Sequence, residues 1–232
     1  MPLAATDPVR FEAAPEGGSW FRGWASSRIR AGVTNRRMTA AELLARVPAS
    51  GAVEAEQVHG ASIAAVERSG MPPVAGCDAL ITSRPGIALQ IRTADCLPIL
   101  FADPRRGLIG IAHAGWRGIA AALPARMIEM FRRAYQAPAE ELYAAIGPAI
   151  RPCCYEVGPE FEERFGPFVE RRGPRRMCNL IGAATEQLRA CGVRAERITD
   201  SGACTACRTD EWYSLRTEGQ ATGRLTSLIL MI

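Results

Sequence analysis

The sequence predicts an α+β fold in a single domain, and three observations carry that prediction. Two apolar runs, Leu97 to Ala102 and Leu108 to Ala112, flank the turn-forming cluster Asp103-Pro104-Arg105-Arg106-Gly107, which is the pattern of a β-hairpin. Other short β-rich runs accompany it, while Ile119 to Tyr135 and Asn179 to Cys191 place apolar residues at helical spacing. No internal repeat and no low-complexity linker divides the chain.

Residues 1 to 19, rich in Ala, Pro, Gly and acidic residues, are expected to form an N-terminal arm with at most a short strand, leaving residues 20 to 232 as the domain. Trp20 to Ala25 reads as a strand, followed by a turn at Ala31-Gly32. Thr39 to Val47 has helical periodicity, with Thr39 as N-cap and Pro48 beyond its end. Gln57 to Val66 suits a strand pair or a sheet edge, and Cys77 to Ser83 and Gly86 to Ile91 are strands joined by Arg84-Pro85-Gly86. Together with the hairpin they predict a sizeable mixed or antiparallel sheet. In the helix at Ile119 to Tyr135, Pro124 fits only a first turn, so the regular part is expected to begin there. Glu141 to Ile146 is a strand, Pro159 to Phe165 a short helix, and Arg194 to Ile198 and Arg224 to Met231 are the last strands.

Composition narrows the chemistry. The chain has 232 residues, 48% of them hydrophobic and 22% charged, as in an ordinary globular protein. The formal charge of +4 is spread among acidic residues without a basic stripe, which argues against nucleic acid as a partner. There is no lysine, which removes the phosphate-binding loop ending in Lys-Ser/Thr, a lysine Schiff base and a lysine general base. The two histidines cannot supply the several imidazoles of a multicopper oxidase site. No secretion signal is expected from Met1 to Arg10, the apolar tail Leu228 to Ile232 is too short to span a bilayer, and eight cysteines in such a chain suggest free thiols or ligands in a reducing cytoplasm.

If the hairpin turn is centred near Arg105, facing residues have numbers summing to about 210, and Cys96 comes within a residue of His113. His59, the other histidine, is assigned to the same site because no further imidazole exists. A thiolate and two imidazoles with an open position suit a catalytic zinc. The same pair without metal suits a nucleophilic Cys96 activated by His113, and the spacing leaves the two chemistries open, as it does a metal-dependent binding or assembly module. Asp95 could orient an imidazole or act as an acid, or it could simply cap the strand. Arg28 and Arg117 are candidates to clamp a phosphate or carboxylate, since guanidinium offers a planar fork of donors. Cys153-Cys154 and Cys204-Thr205-Ala206-Cys207 would make a second metal site only if the first loop folded back, and four free thiols are the simpler expectation.

Beyond these readings, a series of blocks falls in a recognisable order: Gln57-Val58-His59-Gly60, Cys77-Asp78-Ala79-Leu80-Ile81-Thr82, Thr93-Ala94-Asp95-Cys96-Leu97-Pro98, Ala112-His113-Ala114-Gly115-Trp116-Arg117-Gly118, and Ile146-Gly147-Pro148 with Cys153-Cys154-Tyr155-Glu156-Val157-Gly158. A fainter match continues through Cys204-Thr205 and Thr222-Gly223-Arg224. In these blocks the chain resembles the laccase-domain proteins of the YfiH/YlmD type, described as purine nucleoside phosphorylases. The resemblance implies a layered α/β/β/α fold with mixed sheets, and a transition metal, zinc or copper, on His59, Cys96 and His113. It implies phosphorolysis of adenosine, inosine and methylthioadenosine, with adenosine deamination as a side activity. Ser26-Ser27-Arg28 matches the family's Ser-Thr-Arg segment and adds Arg28 to the substrate site. A link to peptidoglycan editing keeps a Cys-His amidase acting on a muropeptide precursor as the alternative. The chain departs from the family between Arg28 and Met38, at Cys178-Asn179-Leu180 and near Trp212-Tyr213-Ser214, which bears on the shape of the nucleoside pocket.

Overall fold

A computed structural model describes residues 8–15 and 17–232; the first seven residues of the expected arm lie outside the described residues. In chain order the strands are β1 (Arg10–Ala13), β2 (Ser19–Arg22), β3 (Ile29–Val33), β4 (Gly51–Glu54), β5 (Ile63–Ala65), β6 (Ala79–Thr82), β7 (Ile87–Thr93), β8 (Leu97–Asp103), β9 (Leu108–Ala114), β10 (Tyr143–Ile146), β11 (Glu156–Val157), β12 (Val169–Arg172), β13 (Arg175–Cys178), β14 (Ile198–Asp200) and β15 (Leu225–Met231). The helices are α1 (Ala40–Ala45), α2 (Trp116–Ala120), α3 (Leu123–Tyr135), α4 (Glu160–Phe165), α5 (Leu180–Ala190) and α6 (Leu215–Glu218).

Two six-stranded mixed sheets, ordered β1-β2-β3-β15-β7-β4 and β14-β10-β8-β9-β6-β5, lie face to face, and a three-stranded sheet β11-β13-β12 stands apart. Alternation along the strands builds the layers. Leu100 and Ala102 of β8 pack with Leu89, Ile91 and Ile229 between the sheets, whereas Leu97, Ile99 and Phe101 point the other way, onto Met127 and Phe131 of α3 and Leu188 of α5. On the far face of the first sheet, Leu228 and Leu230 pack with Trp20 and with Leu43 of α1. Helix, sheet, sheet and helix therefore stack as the resemblance implied. Burial of Leu123, Met127, Ile128 and Phe131, at about 1.5–3 kcal/mol for each such side chain, anchors α3. The Glu129 pairs with Arg132 and Arg133 on its outer side are screened by solvent.

Several elements differ from expectation for identifiable reasons. Ala31 and Gly32 lie inside β3 rather than in a turn; a Cβ on Gly32 would stand 2.9 Å from the Trp20 ring, so this glycine makes room for an indole. The expected helix at Ile119 to Tyr135 is two helices, broken at Ala122 in the left-handed region, φ 61°, with Pro124 in the first turn of α3. Thr39 caps α1 through a capping box with Glu42, and Asn179 caps α5. The hairpin of β12 and β13 escaped notice because its strands, Val-Glu-Arg-Arg and Arg-Arg-Met-Cys, lack alternating apolar residues. β1 pairs with β2 in register Phe11 with Phe21, so the described part of the arm belongs to the first sheet.

Candidate active site

Strand direction gathers the chemistry at one end of the sandwich. β9 runs into that end and stops just past His113, and β7 stops at Thr93; β6, β8 and β15 start there, immediately after Asp78, Cys96 and Arg224. The β8–β9 register pairs Leu97 with Ala114 and Pro98 with His113, so facing residues sum to 211 rather than 210. Continuing it places Cys96 across from Gly115, one step further from His113 than the sequence predicted. A Cβ on Gly115 would stand 3.1 Å from the Cys96 sulfur and 3.5 Å from the His59 ring, so a side chain here would crowd the sulfur.

His59 comes from the loop between β4 and β5. Its ring meets that of His113 edge-on, with centroids 4.8 Å apart, and ligand atoms of His59, Cys96 and His113 all lie within 4.8 Å of one another. The three predicted donors thus converge, on the floor of a cleft of about 470 Å³ also lined by Glu56, Gln57, Arg92, Thr93, Leu215, Gln220 and Arg224.

Asp78 organises this floor. Its fully buried carboxylate accepts from the backbone N–H of His59 at 2.9 Å, from that of Gly60 at 2.6 Å and from His113 Nδ1 at 2.8 Å. Gln57 and His59 both have left-handed backbone, φ 66° and 60°, a conformation that costs a non-glycine residue about 1–3 kcal/mol. The two amide bonds to Asp78, with a third from Gln57 N–H to Cys77 O at 2.9 Å, hold the loop there. Asp95 is a second such residue, φ 84°; it receives hydrogen bonds from Thr205 Oγ1 at 2.6 Å and Arg216 N–H at 2.7 Å, which fix the backbone just before Cys96. Asp95 therefore positions the chain from outside the cleft lining, closer to the capping role than to that of an acid.

Electrostatics follow from these contacts. Burial opposes ionisation of Cys96, but hydrogen bonds from His113 and His59 prevail and bring the thiol down to about 7. Burial likewise opposes protonation of His113, yet Asp78 and Cys96 raise it to about 9. Asp78 sits below its ordinary value because, against burial, the His113 ring and the two amides stabilise the carboxylate. With Nδ1 engaged by Asp78, Nε2 is the ring atom His113 has free for a ligand. A carboxylate behind a histidine in this way is the arrangement that orients metal-binding imidazoles. Donor types, spacing and the open cleft fit a single zinc-like cation.

The predicted arginines do not join this floor. The guanidinium of Arg28 donates to the Ile232 carbonyl at 2.7 Å, and β3 carries the chain from there toward the cleft, so that Arg36 rather than Arg28 reaches the site end. Arg36 pairs with Glu218 and lies 4.4 Å over the Tyr213 ring, securing α6 beside the cleft. Arg117 stacks on Trp116 at 4.7 Å and does not line the cleft. Arg92 and Arg224 do line it; Arg92 stands next to last in β7 and Arg224 directly before β15, a signal hidden among 28 basic residues. Asp78 was also missed, though a lone carboxylate directly before an apolar strand was visible. Four further cysteines, free as expected, are brought together: the loop after β10 folds back and ligand atoms of Cys153, Cys154, Cys204 and Cys207 lie within 4.8 Å of one another.

The family model for multi-copper polyphenol oxidoreductase laccase matches residues 26–232. The chain belongs to this laccase family. It is 36% identical over 217 residues to purine nucleoside phosphorylase YlmD of Geobacillus stearothermophilus, covering 86% of this chain and 79% of that one. Adenosine deaminase RL5, from an unknown prokaryotic organism, is 34% identical over 158 residues, 64% of this chain and 60% of its own. The crystal structure of the Geobacillus YlmD matches the laccase-family fold seen here with a TM-score of 0.85 at 30% identity, covering 97% of this chain and 99% of that one. The family read from the sequence motifs and the layered fold it implied are both borne out.

Proposed function

We propose that this laccase-family member is a purine nucleoside phosphorylase acting on adenosine, inosine and methylthioadenosine, with adenosine deamination as a second reaction, and that His59, Cys96 and His113 hold zinc, with copper as the alternative occupant. The observation that carries the reading is the convergence of these three donors on the floor of a cleft whose lining includes two arginines. The names of the relatives support the reaction class. A bound zinc would supply Lewis acidity there, orienting an anionic oxygen or lowering the pKa of water.

The chain's own residues do the rest. Arg224, whose guanidinium otherwise bonds, among the described residues, to the carbonyls of Thr222 and Gly223, and Arg92 hold the phosphate; they take the role expected of Arg28 and Arg117. Leu215 and Ala94 offer an apolar shelf for the purine, and Glu56 and Gln220 polar partners for the sugar or base. In phosphorolysis a phosphate oxygen bonds to C1′ as the bond from C1′ to the purine nitrogen breaks and the purine gains a proton. In deamination water adds at C6 and ammonia leaves.

No helix among the described residues is long and apolar enough to cross a membrane. We place the protein in a reducing cytoplasm, a reading that its eight free cysteines support. The relatives named above carry nucleoside-acting names, so the amidase acting on muropeptides gains nothing from them. The test is inosine turnover with and without phosphate, before and after metal stripping. Phosphate-dependent release of hypoxanthine that disappears on stripping and returns with zinc is expected. Undiminished turnover by the stripped protein overturns the reading.

A further inference from the structure

β10 and β14 run parallel, Ile146 beside Asp200, so the loops that follow them leave the second sheet side by side. An isolated bridge continues the pairing: Ala149 N–H donates to Ala203 O at 3.3 Å and Thr205 N–H to Ala149 O at 3.1 Å. From there the first loop turns through Cys153-Cys154 and the second through Cys204-Thr205-Ala206-Cys207. We propose that Cys153, Cys154, Cys204 and Cys207 form a second metal centre, a four-thiolate zinc site that staples these two loops together behind the active site.

Geometry carries the proposal. The Cys207 sulfur stands 3.4 Å from that of Cys153 and 3.2 Å from that of Cys154, and the Cys153 sulfur 3.6 Å from that of Cys204. A tetrahedron with zinc–sulfur bonds of about 2.3 Å puts its corners about 3.8 Å apart, so a modest outward movement seats an ion. The three contacts link all four sulfurs into one group, as a shared ion requires; they also contain two separate pairs, Cys153 with Cys204 and Cys154 with Cys207, and the mass measurement below tells disulfides from an ion. Four soft donors and no vacant corner select zinc, with tetrahedral iron as the competitor, and they describe a structural ion rather than a catalytic one.

The surroundings suit a thiolate cluster. Arg151 and Arg172 supply positive charge beside the sulfurs, and Arg151 is itself fixed by a two-pronged bond to Asp200 at 2.9 and 2.6 Å. The cluster also has something to hold. Thr205, fully buried between two of the cysteines, donates to the carboxylate of Asp95, and Ile150 N–H donates to the Asp95 carbonyl at 3.0 Å. A staple across these loops therefore steadies the residue that sets the backbone of Cys96.

The experiment is zinc counting by plasma mass spectrometry on protein purified anaerobically with reductant. His59→Ala/His113→Ala, which dismantles the active-site donors, is expected to retain one zinc ion per chain. Cys204→Ser/Cys207→Ser is expected to hold one fewer zinc than the wild type. Reloading the histidine variant with Co2+ alone should give the intense sulfur-to-cobalt absorption of a thiolate site, which needs no cysteine variant to fold. A zinc-free histidine variant that takes up no cobalt, stoichiometric iron in place of zinc, or a mass two hydrogens lower from a disulfide among these cysteines would each overturn the proposal. None of these readouts depends on the phosphorylase reading, which stands or falls on the inosine assay.

Discussion

Asp78→Asn changes the charge of a carboxylate that three donors share. The structure gives those donors as His59 N–H, Gly60 N–H and His113 Nδ1, at 2.9, 2.6 and 2.8 Å. An amide keeps one accepting oxygen and turns its NH2 either toward the Gly60 amide or toward the His59 amide and the His113 ring together, donor against donor. Leaving one buried donor unserved costs about 1–3 kcal/mol. The left-handed backbone of His59 loses part of what holds it, and the His113 ring loses the partner that fixes its tautomer. Loss of such a partner weakens metal binding by about 10–100-fold, which is about 1.4–2.7 kcal/mol. The assay is competition for zinc against a chromogenic chelator, wild type beside variant, with urea midpoints measured on both metal-free proteins. An unchanged zinc Kd in a folded variant would refute the claim that Asp78 organises the site.

Other predictions follow from single contacts. Gly115→Ala places a methyl 3.1 Å from the Cys96 sulfur and is expected to lower zinc occupancy while the circular dichroism spectrum stays that of the wild type. Arg224→Ala removes a guanidinium worth about 1.5–3 kcal/mol on a charged ligand, so the KM for phosphate should rise about 10–100-fold while that for inosine moves less. In metal-free protein the Cys96 thiol, drawn down to about 7, should be half thiolate near neutrality; its alkylation rate then rises with pH, bends near 7 and flattens, whereas an ordinary thiol keeps accelerating toward 9. Phe131→Ala, which empties a fully buried site against Phe101, should cost about 3–5 kcal/mol in urea unfolding without changing zinc content.

What the sequence disclosed and what it concealed divide along physical lines. The β8–β9 hairpin was legible because turn formers interrupt two apolar runs, and Cys96 and His113 came together through it with an error of one step in register. That error has a local cause. The strands extend to Asp103 and Leu108, so the loop is symmetric about the Arg105-Arg106 bond rather than about Arg105. His59 was placed by scarcity, since a chain with two histidines leaves little choice. Arg28 was misplaced because a motif resemblance says nothing about which end of a strand faces the cleft; antiparallel pairing with β15 decides that. Asp78, Arg92 and Arg224 became visible only once strand ends could be compared, because their neighbours in space belong to other strands. The cysteine cluster was hidden for the same reason, as it depends on β10 lying parallel to β14 across residues 147–197 of intervening chain.

The central claim is that His59, Cys96 and His113 share one cation. Anomalous scattering collected on either side of the zinc absorption edge, from crystals grown without added metal, tests it directly. The account predicts a zinc peak at the floor of the cleft, about 2.0–2.3 Å from the Cys96 sulfur and one nitrogen of each histidine. A cleft with no anomalous signal, or a peak that leaves any of the three side chains out of reach, would contradict it.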